Sequence, residues 1–444
     1  MKKIFQFFEQ ELDPAKPILL GISGGPDSLC LFYLLLEYCQ KNPLILHLAH
    51  VDHGWRKESR TECLALEKLG QDFNIPVHTI RLSQDYEGNL EAASRSARLK
   101  FFTETAEKIS AQGIILGHQF EDQTETVLKR FLEGASLACL SGMRKVSKFG
   151  ALKVFRPLLE TSKQEILAYL QARAISYFED PTNADTKFLR ARMRKEIFPF
   201  LRKSFGKEFQ QSIFCISQDA QEMRAYFDEK LAHYLECGIT SSFGTFFDFQ
   251  SNFPKAPLEM HELLRLLGEK FNFSFNRYQA SQAISLISSK SANKYLEVDG
   301  KTLYFDRGRL FIFNEKIAPL PESAPLKMGV QYFGPWRVTV TDDKACQSLK
   351  NSWQDVWNGV CITSLPSSKN YVLTNFAPNL RGAFHGKILD KALGEKKVPR
   401  AISLLCPVIK IEEKIAEDFL LGYKHLTGDA LIYITLEIAS NYRV

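Results

Sequence analysis

The stretch PILLGISGGPDSLCLFYLLLEY, residues 17–38, contains the most informative structural pattern in the first part of this chain. An apolar run ends in Ser-Gly-Gly-Pro-Asp-Ser, and a second apolar run of helix length follows it. Adjacent glycines let the backbone approach a ligand closely, and the free amides at a helix start attract anions. The stretch therefore predicts a buried strand, a phosphate-binding turn and a helix. The residues expected to contact the phosphate are Ser23, Gly24, Gly25, Pro26, Asp27 and Ser28.

The turn differs from the common phosphate loops in its composition. It contains no lysine, and its spacing is neither that of GxxxxGK[ST] nor that of GxGxxG. Asp27 would repel a phosphate unless a divalent cation lay between them, so we predict that Asp27 binds a metal ion. The alternative is a tight strand-to-helix connection in which Asp27 caps the helix. The six residues together, following a buried strand, favour the phosphate site.

The pattern of residues 1–203 predicts an α/β fold. Short apolar runs (PILLGIS, LILHLAHVD, PVHTIRL and GIILGH) alternate with segments of helix length. This alternation predicts a Rossmann-like parallel sheet with helices on both faces. Ligands of such sheets bind beyond the carboxyl ends of the strands, where the strand order reverses. The polar motifs of this chain fall at those ends.

Length and pattern predict further domains after the first. A chain of 444 residues exceeds one average domain. We expect the α/β domain over 1–203 and a small, mostly helical domain closed by a hairpin over 204–315. An α+β domain should follow over 316–444.

Composition excludes several classes of protein. Hydrophobic residues make up 45% and charged residues 24%, which is typical of globular proteins. No apolar run reaches the ~20 residues that span a bilayer, and the start lacks the features of a signal peptide. The nine cysteines are scattered without a CxxC pair, which predicts reduced thiols. We therefore expect a cytoplasmic protein with no membrane partner. The net charge of +6 does not by itself indicate nucleic acid.

The turn resembles the pyrophosphate-binding loop of the PP-loop ATP pyrophosphatases, which split ATP into AMP and pyrophosphate. Other stretches resemble one group of that family, the tRNA(Ile)-lysidine synthetases: AHVDHGWR from Ala49, NLEAASRSARLKFF from Asn89 and LGHQFEDQTETV from Leu116. The resemblance implies the PP-loop ATPase fold, with ATP and Mg²⁺ as cofactors. Its implied substrates are free lysine and an isoleucine tRNA with a CAU anticodon. ATP would adenylate the wobble cytidine, and the ε-amine of lysine would then displace AMP.

Two of these stretches supply candidate ligands of the nucleotide. His50, Asp52 and His53 end the second predicted strand and would face the nucleotide, although a turn with Asp52 capping the next helix is the alternative. Arg95 and Arg98 are three residues apart and share a helix face. Two guanidiniums there suit the phosphates of ATP or RNA, whereas a solvated basic face is the alternative.

The third stretch supplies the candidate catalytic residues His118, Asp122 and Glu125. Asp27 of the turn is the fourth candidate. Asp122 and Glu125 lie three apart at a predicted helix start, so both carboxylates project to one side. Such a pair suits Mg²⁺ or the ammonium group of a substrate lysine. In the alternative interpretation, Asp122 stabilises the helix N-terminus and Glu125 pairs with Lys129.

Two basic segments are predicted to contact tRNA. Residues 185–207 contain eight Lys and Arg residues and two acidic residues. Residues 379–400 contain six Lys and Arg residues and two acidic residues. The first resembles the end of the family's catalytic domain, and the second resembles the last domain of its longer members. Amphipathic or solvated helices are the alternatives in both cases. The residues expected to contact RNA there are Arg190, Arg194, Lys387, Lys391, Lys396 and Lys397.

Two other functions stay open at this point: a PP-loop enzyme of tRNA thiolation, and a non-catalytic RNA-binding protein on a nucleotide-binding fold. Thiolation enzymes generally need paired or catalytic cysteines, and the chain has no CxxC pair. The intact turn and carboxylate motifs argue against a non-catalytic protein. The oligomeric state is not determined by the sequence, and a homodimer is compatible with it.

Overall fold

The fold is described from a computed structural model of the chain. The residues described are 1–52, 59–82, 90–178, 186–187, 189–205, 208–314, 319–343, 352–367, 369–376, 388–412, 414–421 and 431–439. The chain divides into two compact units, Met1–Ala225 and Tyr226–Val444. The boundary between them falls inside one long helix, α9 (Phe209–Glu236). The three-domain division at residues 203 and 315 stays a prediction.

The first unit is built from short strands and longer helices. Its strands are β1 (Ile18–Gly21), β2 (Leu46–Asp52), β3 (Val77–Arg81), β4 (Ile114–Ile115), β5 (Val146–Phe149) and β6 (Leu152–Phe155). Its helices are α1 (Lys2–Glu11), α2 (Pro26–Cys39), α3 (Ser59–Asp72), α4 (Leu90–Lys108), α5 (Phe120–Leu132), α6 (Lys163–Gln171), α7 (Leu189–Arg192) and α8 (Phe198–Phe205). A 3₁₀ turn, Leu137–Ser141, follows α5, and a π-helical turn, Met193–Ile197, joins α7 to α8.

These strands form one six-stranded sheet in the order β3-β2-β1-β4-β6-β5. All the pairs are parallel except β5 with β6. Because β1 pairs with β2 on one side and with β4 on the other, the strand order reverses between β1 and β4. Such a reversal opens a crevice at the carboxyl ends of the two strands. The predicted parallel α/β sheet is confirmed.

The central strand β1 is apolar at successive positions because it is covered on both faces. Ile18, Leu19 and Leu20 are fully buried. Ile18 and Leu20 pack in the cluster that contains α1, α2 and α6, whereas Leu19 packs in the cluster that contains Phe102 of α4. Successive side chains of a strand point to opposite faces, so helices cover both sides of the sheet. This arrangement agrees with the sequence prediction.

The second unit is built mainly from antiparallel strands. Its strands are β7 (Ile239–Ser241), β8 (Gly244–Asp248), β9 (Lys294–Val298), β10 (Lys301–Asp306), β11 (Arg309–Phe313), β12 (Ser323–Pro325), β13 (Gly329–Phe333), β14 (Trp336–Thr341), β15 (Val360–Pro366), β16 (Val372–Thr374), β17 (Val408–Ile411), β18 (Lys414–Glu417) and β19 (Leu431–Ile438). Its helices after α9 are α10 (Pro257–Phe271), α11 (Arg277–Ser288), α12 (Trp353–Asn358), α13 (Leu389–Glu395) and α14 (Arg400–Ser403).

The strands of the second unit form three sheets, with the orders β7-β8-β11-β10-β9, β12-β16-β17-β18 and β13-β14-β19-β15. The predicted hairpin is present as the antiparallel strands β9, β10 and β11. The sequence analysis did not identify β7 and β8, which extend the same sheet beyond β11. These two strands are short, and an isolated GTFFD segment gives little signal. No described helix is long and apolar enough to cross a membrane.

Candidate active site

The turn after β1 is stabilised by hydrogen bonds among its own residues. The Oγ of Ser28 donates to the carbonyl oxygen of Gly25 at 3.0 Å and accepts from the amide of Ser23 at 3.2 Å. Gly24 has a φ of 78°, and a Cβ at this position would lie 2.5 Å from a ring carbon of Phe178. Only glycine fits there without displacing the ring. The turn therefore presents a preformed backbone at the N-terminus of α2, where anions bind.

Three helices, α2, α5 and α6, begin close to this turn. A Cβ at Gly117, just before α5, would lie 3.2 Å from the backbone carbon of Asp27. The Nζ of Lys163, the first residue of α6, lies 2.6 Å from Oδ1 of Asp27. Near their other ends, the hydroxyl of Tyr169 donates to Glu37 at 2.7 Å. Helices α2 and α6 thus run side by side in the same direction, and their positive N-terminal ends lie together.

Two predicted catalytic carboxylates share one arginine in this region. Arg194 donates from NH2 to Oδ1 of Asp122 at 2.8 Å and to Oε2 of Glu125 at 3.1 Å, and its Nε also donates to Glu125. Glu125 is 1% exposed, so its charge depends on this partner. The alternative pairing of Glu125 with Lys129 is not observed, because Lys129 pairs with Glu133 at 3.7 Å.

Asp122 also has the structural role that the alternative interpretation gave it. Its Oδ2 accepts from the amide of Gln119 at 3.1 Å and forms half of a capping box at the start of α5. The cap uses one carboxylate oxygen, and Arg194 uses the other. Asp122 is therefore held in place by the helix while one oxygen faces a cation.

Protein cations oppose the effect of burial on two acidic side chains of the site. Burial raises the pKa of Glu125, and the hydrogen bonds from Arg194 oppose that rise. Burial also raises the pKa of Asp27, and the charge of Lys163 opposes it. A cationic ligand that displaced Lys163 or Arg194 would find a carboxylate already desolvated and oriented.

Asp27 is a chemically suitable ligand for Mg²⁺, which prefers oxygen donors. Among the described residues, no three His, Cys, Asp or Glu side chains lie close enough together to hold a metal ion by themselves. Mg²⁺ commonly takes one or two carboxylates and completes its coordination with phosphate oxygens and water. One carboxylate beside a phosphate turn is consistent with that kind of site.

Two of the three predicted nucleotide ligands at the end of β2, His50 and Asp52, have partners within the protein. The Nδ1 of His50 lies 2.9 Å from the carbonyl oxygen of Ile22, so this buried ring supports the backbone just before the turn. Asp52 is buried and lies 3.7 Å from the Nε of Arg81 on the neighbouring strand. His53 lies outside the described residues. Contact of these side chains with a nucleotide stays a prediction.

A group of arginines, which we call the basic cluster, lies in the same unit. Its members are Arg95, Arg98, Arg144, Arg156 and Arg190. Burial lowers the pKa of Arg98, and the charges of Arg95 and Arg190 lower it further. Burial, followed by the charges of Arg95 and Arg144, lowers the pKa of Arg156 to about 10. Arg98 therefore lies near Arg95 and Arg190, and Arg156 lies near Arg95 and Arg144.

Several buried nitrogen atoms in and beside the basic cluster lack a hydrogen-bond partner in the described part of the chain. They are the Nε atoms of Arg98 and Arg156 and the Nδ1 of His118, none of which has a hydrogen-bond partner among the described residues. Buried polar groups are nearly always paired, and a guanidinium binds anions most strongly. The cluster therefore indicates a site for a phosphate group.

Sequence analysis missed two residues of this site, Arg156 and Lys163. Arg156 directly follows β6, a short strand that the sequence analysis did not predict. Lys163 begins α6 immediately after the N-cap Ser162, which forms a capping box with Glu165. The sequence does not show that α6 starts beside the turn.

The predicted lysines of the last segment are carried by a helix of the second unit. Leu389 and Leu393 of α13 are buried, whereas Lys391, Lys396 and Lys397 are exposed on or after it. Lys387 lies outside the described residues. The arrangement is compatible with tRNA docking and with a solvated amphipathic helix.

The ionisation of His118 should make stability depend on pH. Burial lowers the pKa of His118 from 6.5 to about 4; Asp122 opposes this shift and nearby guanidiniums add to it. At pH values between about 4 and 6.5, His118 is protonated in the unfolded chain and neutral in the folded chain. The free energy of unfolding should therefore fall as the pH falls from 6.5 to 4, by up to about 1.4 kcal/mol per pH unit.

Urea unfolding at several pH values between 7 and 4 measures this slope. His118→Gln should reduce it, whereas His233→Gln, at an exposed position, should leave it unchanged. The same slope in His118→Gln and the wild type would contradict the assignment.

The chain is similar to known proteins over most of its length. Residues 1–201 match the protein family described as the PP-loop domain. A protein named tRNA(Ile)-lysidine synthase from Protochlamydia amoebophila is 35% identical over 426 residues, which cover 95% of this chain and 93% of that protein. The protein of the same name from Chlamydia muridarum is 36% identical over 55% of this chain and 76% of its own length. The one from Chlamydia caviae is 39% identical over 53% and 73%. The chain belongs to the tRNA(Ile)-lysidine synthase family.

Proposed function

We propose that this chain is a ligase that joins lysine to the wobble cytidine of an isoleucine tRNA with a CAU anticodon. The reaction consumes ATP and releases AMP and pyrophosphate. Beyond family membership, one observation carries the proposal: Asp122 and Glu125, beside the phosphate turn, already bind a protein cation, Arg194. A site that holds a guanidinium between two carboxylates has the charge and geometry to hold the ammonium group of lysine.

The first step is adenylation of the base. The 2-oxo oxygen of the cytidine forms a bond to the α-phosphorus of ATP, and the bond from that phosphorus to the pyrophosphate oxygen breaks. The turn residues Ser23–Ser28 and the N-terminus of α2 receive the negative charge that develops on the pyrophosphate. Mg²⁺ held by Asp27 would add positive charge there. The basic cluster would bind the remaining phosphates of the nucleotide or of the tRNA.

The second step is displacement of AMP by lysine. The ε-amine attacks C2 of the adenylated base, and the bond from C2 to the oxygen of AMP breaks. The ammonium must lose a proton before it attacks. Glu125 suits this task because burial raises its pKa, which makes it a better proton acceptor than an exposed carboxylate. Asp122 would hold the amine in position.

The tRNA must present its wobble base to this site. Bases of single-stranded loops are readily turned out of the stack, so an anticodon base can enter a pocket. Arg190 and Arg194 in the first unit and the lysines near α13 in the second would contact phosphates, which position a nucleic acid without reading its sequence. The homodimer and the cytoplasmic location stay predictions from the sequence.

Incubation of the purified chain with ATP, Mg²⁺, radiolabelled lysine and an isoleucine tRNA transcript should attach the label to the RNA. AMP and pyrophosphate should appear in amounts equal to the lysine joined. A transcript with uridine at the wobble position is the control and should stay unlabelled. Transfer of sulfur instead of lysine would assign the chain to tRNA thiolation, and tRNA binding without any ATP cleavage would assign it to non-catalytic binding.

Asp122→Asn should separate catalysis from helix capping. Asparagine keeps an oxygen for the amide of Gln119 but loses the charge that holds a cation. Lysine transfer in a single turnover should fall about 100-fold or more, while equilibrium binding of ATP is retained. The matched control is Asp355→Asn, because Asp355 occupies the same position of a capping box at the start of α12. Wild-type transfer by Asp122→Asn would reduce Asp122 to a cap.

Replacement of Lys391, Lys396 and Lys397 by glutamate should weaken binding of the tRNA. The logarithm of the binding constant falls linearly with the logarithm of the salt concentration, and each lost phosphate contact should make this slope shallower by about one unit. Filter binding over a range of salt concentrations measures both effects. Replacement of the exposed Lys255, Lys290 and Lys327 changes the net charge equally and is the control. Equal losses in both triple variants would show that net charge alone matters.

A further inference from the structure

We propose that Lys163 binds the pyrophosphate that leaves ATP and so supplies, from α6, the lysine that the turn lacks. The inference rests on the proposed use of ATP. It concerns a residue that lies far from the turn in sequence and reaches it only through the fold.

The position of Lys163 is the first argument. Its Nζ lies 2.6 Å from Oδ1 of Asp27, the residue of the turn that precedes Ser28. The side chain of Lys163 is 36% exposed and that of Asp27 is 29% exposed, so a ligand can approach both. The ammonium group therefore lies at the edge of the phosphate turn, on its solvent-accessible side.

The second argument is that the backbone of Lys163 is firmly held. Its amide donates to both carboxylate oxygens of Glu121, at 3.2 and 3.0 Å. The preceding residue, Ser162, forms a capping box with Glu165 that fixes the first turn of α6. The carbonyl of Thr161 accepts from the amide of Phe120 at 3.0 Å. The side chain thus extends from a fixed point at the joint start of α5 and α6.

The third argument concerns charge. Lys163 neutralises Asp27, which would otherwise repel a phosphate. If a divalent cation binds Asp27, the ammonium of Lys163 loses that partner while it remains beside the turn. A lysine side chain is long and flexible, so its charged end can move to a phosphate oxygen without a change in the backbone. The competing explanation is that Lys163 only neutralises Asp27 and never contacts the ligand.

Calorimetric titration with inorganic pyrophosphate in the presence of Mg²⁺ tests the proposal on the full chain. Lys163→Met should weaken binding about 10- to 100-fold, as expected for loss of a hydrogen bond between charged groups. The control is Lys153→Met, because Lys153 pairs with Glu11 at 3.5 Å and has a similar exposure of 37%. If thermal unfolding shows that Lys163→Met is poorly folded, Lys163→Gln replaces it.

A second comparison distinguishes ligand contact from neutralisation of Asp27. In Asp27→Asn there is no charge for Lys163 to neutralise, so the competing explanation gives the lysine no role there. Without Mg²⁺ and with a chelator present, the double variant Asp27→Asn, Lys163→Met should bind pyrophosphate about 10-fold or more weakly than Asp27→Asn alone. Equal affinities of these two proteins would overturn the proposal.

The remaining outcomes separate this inference from the proposed function. Failure of the wild type to bind pyrophosphate at all would overturn the role of Lys163. If the wild type binds pyrophosphate through Lys163 but does not join labelled lysine to tRNA, the role of Lys163 stands and the proposed transfer fails.

Discussion

The parallel pairing of β1 with both β2 and β4 is the constraint on which the candidate site depends. Parallel strands end at the same edge of a sheet, so the residues that follow β1, β4 and β6 meet there. The reversal of strand order between β1 and β4 leaves a crevice into which α2 and α5 direct their N-termini. The turn Ser23–Ser28 can approach a ligand only because Gly24 has a left-handed backbone. Gly117, which follows β4, has no side chain and therefore leaves room for the backbone of Asp27.

The site that results combines groups of opposite charge. Asp27 of α2 and Glu125 of α5 are buried enough for their pKa values to rise, and each is balanced by a long basic side chain from elsewhere in the fold. The basic cluster has the opposite character, because its arginines repel one another and some of their donors have no partner among the described residues. Carboxylates suit the cations of the reaction, and the Nε atoms of Arg98 and Arg156, which have no partner among the described residues, suit its phosphates. The proposed binding of ATP, lysine and tRNA would then compensate for the cost of desolvation and reduce the repulsion that the folded protein already contains.

Much of the fold was predictable because strong local patterns agreed with it. The alternation of apolar strands and helices predicted the parallel sheet, and Asp122 marked the start of α5. The strands β7 and β8 were missed because they are short and gain their stability from pairing with β11. Their existence depends on partners distant in sequence, and such pairing leaves no local periodic signal.

The phosphate turn, the carboxylates Asp122 and Glu125 and the family resemblance could all be identified from the sequence. Each of these features lies in a short run of residues, and the residue types and their spacing within that run indicate the chemistry. Tertiary structure alone decided which cations meet which anions. Arg194 reaches Glu125 and Lys163 reaches Asp27 across more than sixty and more than one hundred intervening residues, respectively. Such contacts depend on the order and direction of strands in the sheet, which no local pattern encodes. The lysine that the turn lacks in sequence is present beside it in space for that physical reason.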